Sequence, residues 1–226
     1  MKNVLLSGAI ALCVAAGAGY WLSQSSSPTA PAGTDLLGAA NAQEAGEVDT
    51  STITEMTMGP QDAPVTVIEY ASFTCPHCAS FHQGQLKQLK SEYVEPGKIH
   101  FIYRDVYFDR FGLWASMVAR CGGEDRFFGI ADMLYDQQKQ WIGDGQDPVA
   151  ITDRLRKIGK VAGLSEEQLE SCLTDADKAK TLVAWFQENA EEHDVTSTPT
   201  LVIDGKTYSN MPYDEIKTIL DGLLEE

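Results

Sequence analysis

Apolar positions recur with two different periods along this chain, and the alternation between them outlines the elements. Residues 65–70 (Val-Thr-Val-Ile-Glu-Tyr) are rich in β-branched side chains and lie between Pro64 and the Ser72-Phe73-Thr74 stretch, which predicts a strand. A shorter strand is expected before it, at 53–57. From the Cys75-Pro76-His77-Cys78 motif to Tyr93 the period becomes helical, ending ahead of Pro96-Gly97. At 100° per residue, Cys78, Phe81, Leu86, Leu89 and Tyr93 share an arc of roughly 140°. Residues 98–105 (KIHFIYRD) read as a second main strand. Helical patterns alone then follow, over 111–121, 125–141, 148–161 and 165–189. Residues 200–203 are a strand, Asp204-Gly205 a hairpin turn, 206–208 the returning strand, and 212–224 a last amphipathic helix. Without the helical block the order is β-α-β, then β-β-α. The chain is therefore an α/β domain with a sheet of about four strands, interrupted by an all-helical insertion.

The amino terminus follows a different rule. Met1-Lys2 provides a positive start, and residues 4–22 carry no charge. This is an export signal, either cleaved or retained as a membrane anchor. Small-residue cleavage patterns occur at Ala16-Gly17-Ala18 and Ala40-Asn41-Ala42. Cys13 follows Leu12, where a lipid-attachment site needs a small residue. Residues 23–50 are rich in Ser, Pro, Ala and Gly and read as a flexible linker. The organisation expected is thus signal or anchor at 1–22, linker at 23–50, first part of the α/β domain at 51–108, helical insertion at 109–189, and second part at 190–226.

Composition narrows the choice of partners. Of 226 residues, 43% are hydrophobic and 22% charged, too apolar for a disordered chain. The 17 Lys and Arg against 33 Asp and Glu leave a net charge of −16, which argues against nucleic acid as a partner.

The chemistry lies in the cysteines. Setting Cys13 aside leaves four of the five, and an exported location permits two disulfides. Cys75 and Cys78 form a C-x-x-C that follows a strand and opens a helix. At that place Cys75 meets unpaired backbone N–H groups and the positive end of the helix dipole, which favour its thiolate. His77 adds a donor near the sulfur. Pro76 loses nothing by lacking an N–H in the first turn. Cys78 belongs to the inward face. A Cys75 that leaves readily as thiolate makes the Cys75–Cys78 disulfide an oxidant of other thiols. Zinc would need a fourth ligand beyond Cys75, Cys78 and His82, and none is evident. Haem attachment would need His where Ala79 stands. An inert disulfide remains the alternative. No cofactor and no metal are called for, because the dithiol is itself the redox group.

The other pair reads differently. Leu113, Trp114, Met117, Val118 and Cys121 share one helical face; Leu169, Cys172, Leu173, Ala176, Val183 and Phe186 share another. Both cysteines point toward a common helical core, so a structural Cys121–Cys172 disulfide is expected, with two separate buried thiols as the alternative.

The stretch VIEYASFTCPHC, the helical block and the late Thr198-Pro199 resemble the DsbA-like thiol:disulfide oxidoreductases of the thioredoxin superfamily, over about residues 52–226. The resemblance implies a thioredoxin fold, a central mixed sheet with flanking helices. It implies Cys75 as the nucleophile that forms the mixed disulfide with substrate and Cys78 as its buried partner. Pro199 matches a cis-proline loop against the active site, with the Thr198 backbone pairing with an extended substrate. Glu69 matches an acid that helps move protons for Cys78; the plainer reading is a strand-edge Glu paired with a lysine. Thr198 stands where the best-known oxidases of the family carry an aliphatic residue. Implied partners are reduced exported proteins and a DsbB-like membrane oxidase, in a periplasm, with a possible tether through residues 4–22. The alternatives are an isomerase or reductase of the same fold, or a folding chaperone or binding module with a vestigial C-x-x-C.

Overall fold

A computed structural model describes residues 48–225; the expected export segment and most of the linker lie outside the described residues. Among the described residues no helix is long and apolar enough to cross a membrane.

Strand β1 (Met56–Met58) is followed by β2 (Val65–Ala71), helices α1 (Pro76–Gln83) and α2 (Gln85–Leu89), and β3 (Ile99–Asp105). Six helices come next: α3 (Arg110–Cys121), α4 (Glu124–Asp136), α5 (Gln138–Ile142), α6 (Pro148–Val161), α7 (Glu166–Leu173) and α8 (Ala176–Glu192). The chain closes with β4 (Thr200–Ile203), β5 (Lys206–Ser209) and α9 (Tyr213–Leu224). The sheet has five strands in the order β1-β3-β2-β4-β5. β2 and β3 are parallel, while β1–β3, β2–β4 and β4–β5 are antiparallel, so the sheet is mixed. This is a thioredoxin fold with a helical block between β3 and β4.

The position of β2 explains its composition. It lies in the middle of the sheet, and a strand covered on both faces reads as a nearly continuous apolar run. Val65, Val67 and Ala71 pack with Phe101, Tyr103, Leu201 and Ile203 against α1 and α9. Ile68 and Tyr70 face the other way, with Val106 and Val202, against Phe186 of α8. Each large apolar side chain sealed here contributes about 1.5–3 kcal/mol. The one acid in the run, Glu69, shares the face of Val65 and Val67 and is fully buried.

The structure departs from the sequence expectation where local hydrogen bonding overrides the apolar period. The first strand begins at Met56; a single 3₁₀ turn over Thr50–Thr52, capped by the Asp49 side chain, precedes it, and residues 53–55 join the two without regular structure. The helix expected to run from the C-x-x-C to Tyr93 breaks at Gly84 and ends in a π turn over Lys90–Val94. The 165–189 pattern is two helices, because the Asp175 carboxylate accepts from the Lys178 N–H and starts α8 anew. The 125–141 pattern is likewise split, at Gln137. With the expected short first strand, β1, as its edge, the sheet holds five strands. In the β4–β5 hairpin, Asp204 and Gly205 both take positive φ (47° and 78°), the conformation that a tight two-residue turn requires.

Candidate active site

The C-x-x-C starts where β2 leaves the sheet. Cys75 is the N-cap of α1 and Pro76 its first residue. The Cys75 N–H donates to the Ser72 carbonyl at 3.0 Å, and Ala79 N–H donates to the Cys75 carbonyl at 3.2 Å. Two contacts from the helical block steady this turn. Asp109 Oδ1 caps α3 by accepting from the Phe111 and Gly112 N–H groups, while its Oδ2 accepts from Thr74 Oγ1 at 2.7 Å. Gln138 at the start of α5 reaches back, its Nε2 donating to the carbonyls of Phe73 at 2.8 Å and Cys75 at 2.9 Å. Gln138 is buried, so its amide is committed to these carbonyls.

The two sulfurs sit in unlike surroundings. Cys75 is half-buried, Cys78 is sealed, and both are free thiols. Cys75 Sγ lies 3.5 Å from the Thr198 carbonyl oxygen, to which the thiol donates. Its pKa is lowered from 9.0 to about 5, chiefly by the Cys78 thiol donating to its sulfur. The Thr198 hydroxyl and the N–H groups of Cys78 and His77 add to this and outweigh the cost of desolvation. Burial, first, then the hydrogen bond to Cys75 and the charge of Glu69 push the Cys78 thiol far up. The Pro76 and His77 side chains are exposed, so His77 acts on Cys75 through its backbone.

Opposite the sulfurs, the Thr198–Pro199 peptide is cis. Beneath them, Glu69 bonds His82 of α1, with Nε2 at 3.1 Å from Oε1 and 3.0 Å from Oε2. The structure thus gathers Cys75, Cys78, Thr198 and Pro199 at one end of the sheet, with Glu69 below. Cys121 and Cys172 are elsewhere, bonded to each other with Cα atoms 6.0 Å apart and tying α3 to α7. Among the described residues no group of three His, Cys, Asp or Glu side chains is placed to hold a metal ion. Sequence reasoning missed Gln138 and the pairing of His82 with Glu69. The i, i+4 spacing of Cys78 and His82 was the available signal for the second, since it puts both on one helix face. Gln138 had none.

Comparison with known proteins bears on the fold and the family. The thioredoxin family profile matches residues 51–222. A Rickettsia bellii protein, provisionally named a protein-disulfide oxidoreductase, is 30% identical over 76% of this chain and 65% of its own length. The chain therefore spans just under two thirds of that relative. The crystal structure of Wolbachia pipientis α-DsbA1 superposes with a TM-score of 0.67 at 23% identity, over 76% of this chain and 92% of that one. A protein-disulfide isomerase structure from Novosphingobium aromaticivorans gives 0.69 at 25% identity, over 76% and 98%. The chain belongs to the thioredoxin family.

Proposed function

We propose that this protein is an exported thiol:disulfide oxidoreductase that introduces disulfide bonds into other exported proteins through a mixed disulfide at Cys75. The observation that carries the reading is the inequality of the two sulfurs: an accessible Cys75 with its pKa near 5 beside a sealed Cys78. In the oxidised form a substrate thiolate attacks Cys75 Sγ, the S–S bond breaks, and its electron pair leaves on Cys78. A second substrate thiolate then attacks the substrate sulfur and releases Cys75 as its stabilised thiolate. Two electrons pass from two substrate thiols to the protein dithiol. A low-pKa thiolate is a good leaving group, so the last step runs toward the oxidised substrate.

The Thr198 backbone beside the cis-Pro199 offers an extended substrate a strand to pair with. The names of the relatives support disulfide chemistry as the class of reaction. A DsbB-like membrane oxidase would return the dithiol to the disulfide, and a periplasm would house both. Replacing Cys75 by Ser and following oxidation of a reduced two-cysteine peptide tests the reading. Loss of transfer is expected; a variant that keeps its activity would mark a binding module with a vestigial motif. The isomerase alternative has its own support, the similarity to the Novosphingobium isomerase structure. Faster repair of a scrambled protein than oxidation of a reduced one would favour it.

A further inference from the structure

Under Cys78 lies a closed polar cluster that the exchange steps above do not use. Cys78 and His82 stand one turn apart on the buried face of α1, and Glu69 faces them from β2. His82 Nε2 bridges both Glu69 oxygens, at 3.1 and 3.0 Å, and the two side chains are 1% and 0% exposed. Among the described residues, Glu69 bonds His82 and no lysine or arginine.

The opposite ring nitrogen, His82 Nδ1, is buried without a hydrogen-bond partner. Tyr135 of α4 lies against the imidazole with ring centroids 4.0 Å apart, and Tyr103 of β3 meets it edge-on at 5.8 Å. The two phenols bond each other at 2.7 Å. Cys78, Glu69, Tyr103 and Tyr135 are thus the titratable groups facing His82 from α1, β2, β3 and α4. A buried nitrogen left unpaired in an otherwise satisfied cluster is uncommon and asks for a reason. Because Nδ1 is uncommitted, the imidazole can gain or lose a proton there without breaking its Nε2 bond to Glu69.

We propose that His82 is the positioning residue that makes Glu69 a proton store for Cys78, the Glu69–His82 pair holding one exchangeable proton for the buried sulfur. This rests on the exchange reading above. When substrate attacks Cys75, the electron pair of the broken S–S bond goes to Cys78, and the pair supplies the proton that leaves Cys78 a neutral thiol. On reoxidation by an acceptor disulfide, the acceptor forms a mixed disulfide with Cys75 and loses a thiolate. Cys78 then returns its proton to the pair, attacks Cys75 Sγ and expels the second acceptor thiolate. Sulfur leaves water's reach in this site, so a built-in proton partner replaces solvent.

The test uses the full chain, reduced and mixed with oxidised glutathione, with acid quench and mass spectrometry at intervals between about pH 4 and pH 9. Two steps are resolved: formation of the Cys75–glutathione mixed disulfide, and its resolution by Cys78. His82→Gln keeps an amide donor for Glu69 but takes up no proton; His82→Leu removes both properties. The expected result is resolution slowed about 100-fold in His82→Gln, with an altered pH profile, while mixed-disulfide formation stays within about twofold. Should His82→Leu fail to fold, His82→Gln decides the matter alone. A wild-type rate and pH profile of resolution in His82→Gln overturns the proposal while leaving the exchange reading intact. Absence of any mixed disulfide on Cys75 in the wild type overturns both.

Discussion

The two cysteine pairs of this protein occupy opposite ends of helices, and that difference separates their chemistry. Cys75 caps the amino end of α1, where unpaired N–H groups stabilise an anion. Cys121 is the last residue of α3, and Cys172 is next to last in α7. Both therefore sit where carbonyl groups and the negative end of the dipole disfavour a thiolate. Since thiol–disulfide exchange is carried by thiolates as attacker and leaving group, the first position suits the exchange proposed above and the second suits a bond that stays closed. The same bond, placed at the other end of a helix, becomes a staple.

Removing each pair in turn gives the largest expected effect. Cys75→Ser abolishes disulfide transfer, whereas the double variant Cys121→Ala/Cys172→Ala retains it; loss of transfer in the double variant would mean that the second pair takes part. The next effect is in pH. With its pKa at about 5, Cys75 in the reduced protein is alkylated by iodoacetamide at half its limiting rate near pH 5. An unperturbed thiol would show that midpoint near 8.5. The sign for stability follows. A depressed thiol pKa stabilises the reduced fold above the unfolded value, and the gain is lost as pH falls through about 5. The melting temperature of the reduced form relative to the oxidised form should therefore drop on acidification from about pH 7 to about pH 4.

Smaller effects concern stability alone. The Cys121–Cys172 link spans 51 residues of sequence. A loop of this size is worth about 4 kcal/mol in the chain-entropy model, an upper value that native strain reduces. Urea unfolding of the double alanine variant should show a loss approaching it, with the m-value read alongside. Gln138→Ala removes the side-chain donor to the Phe73 carbonyl and one of the two donors to the Cys75 carbonyl, and should cost about 1–3 kcal/mol. Its Cys75 alkylation profile should move less than the stability does, because the sulfur keeps its contacts with Thr198 and Cys78.

Much of this arrangement was legible before any coordinates, and what was legible is local. β2 announces itself by β-branching, the C-x-x-C by its place between strand and helix, and Cys121 and Cys172 by the apolar faces they share. The helix breaks at Gly84, Gln137 and Thr174-Asp175 were hidden because the apolar period continues across them while a cap or a backbone angle ends the helix. Gln138 was hidden for a different reason. It acts across 63 to 65 residues of sequence, on backbone carbonyls that carry no side-chain signature. His82 was visible as a histidine one turn beyond Cys78, but only the central position of β2 shows that Glu69 waits opposite it.

In the function proposed above, the Cys75–Cys78 disulfide is an oxidant because its reduced form holds a stabilised thiolate. The deciding quantity is the reduction potential of that pair, measured by equilibrating the full chain in glutathione buffers and quenching in acid. A value well above about −200 mV is expected, on the oxidising side of the glutathione pool. A value well below that would contradict it and make the protein a reductase that depends on an electron donor.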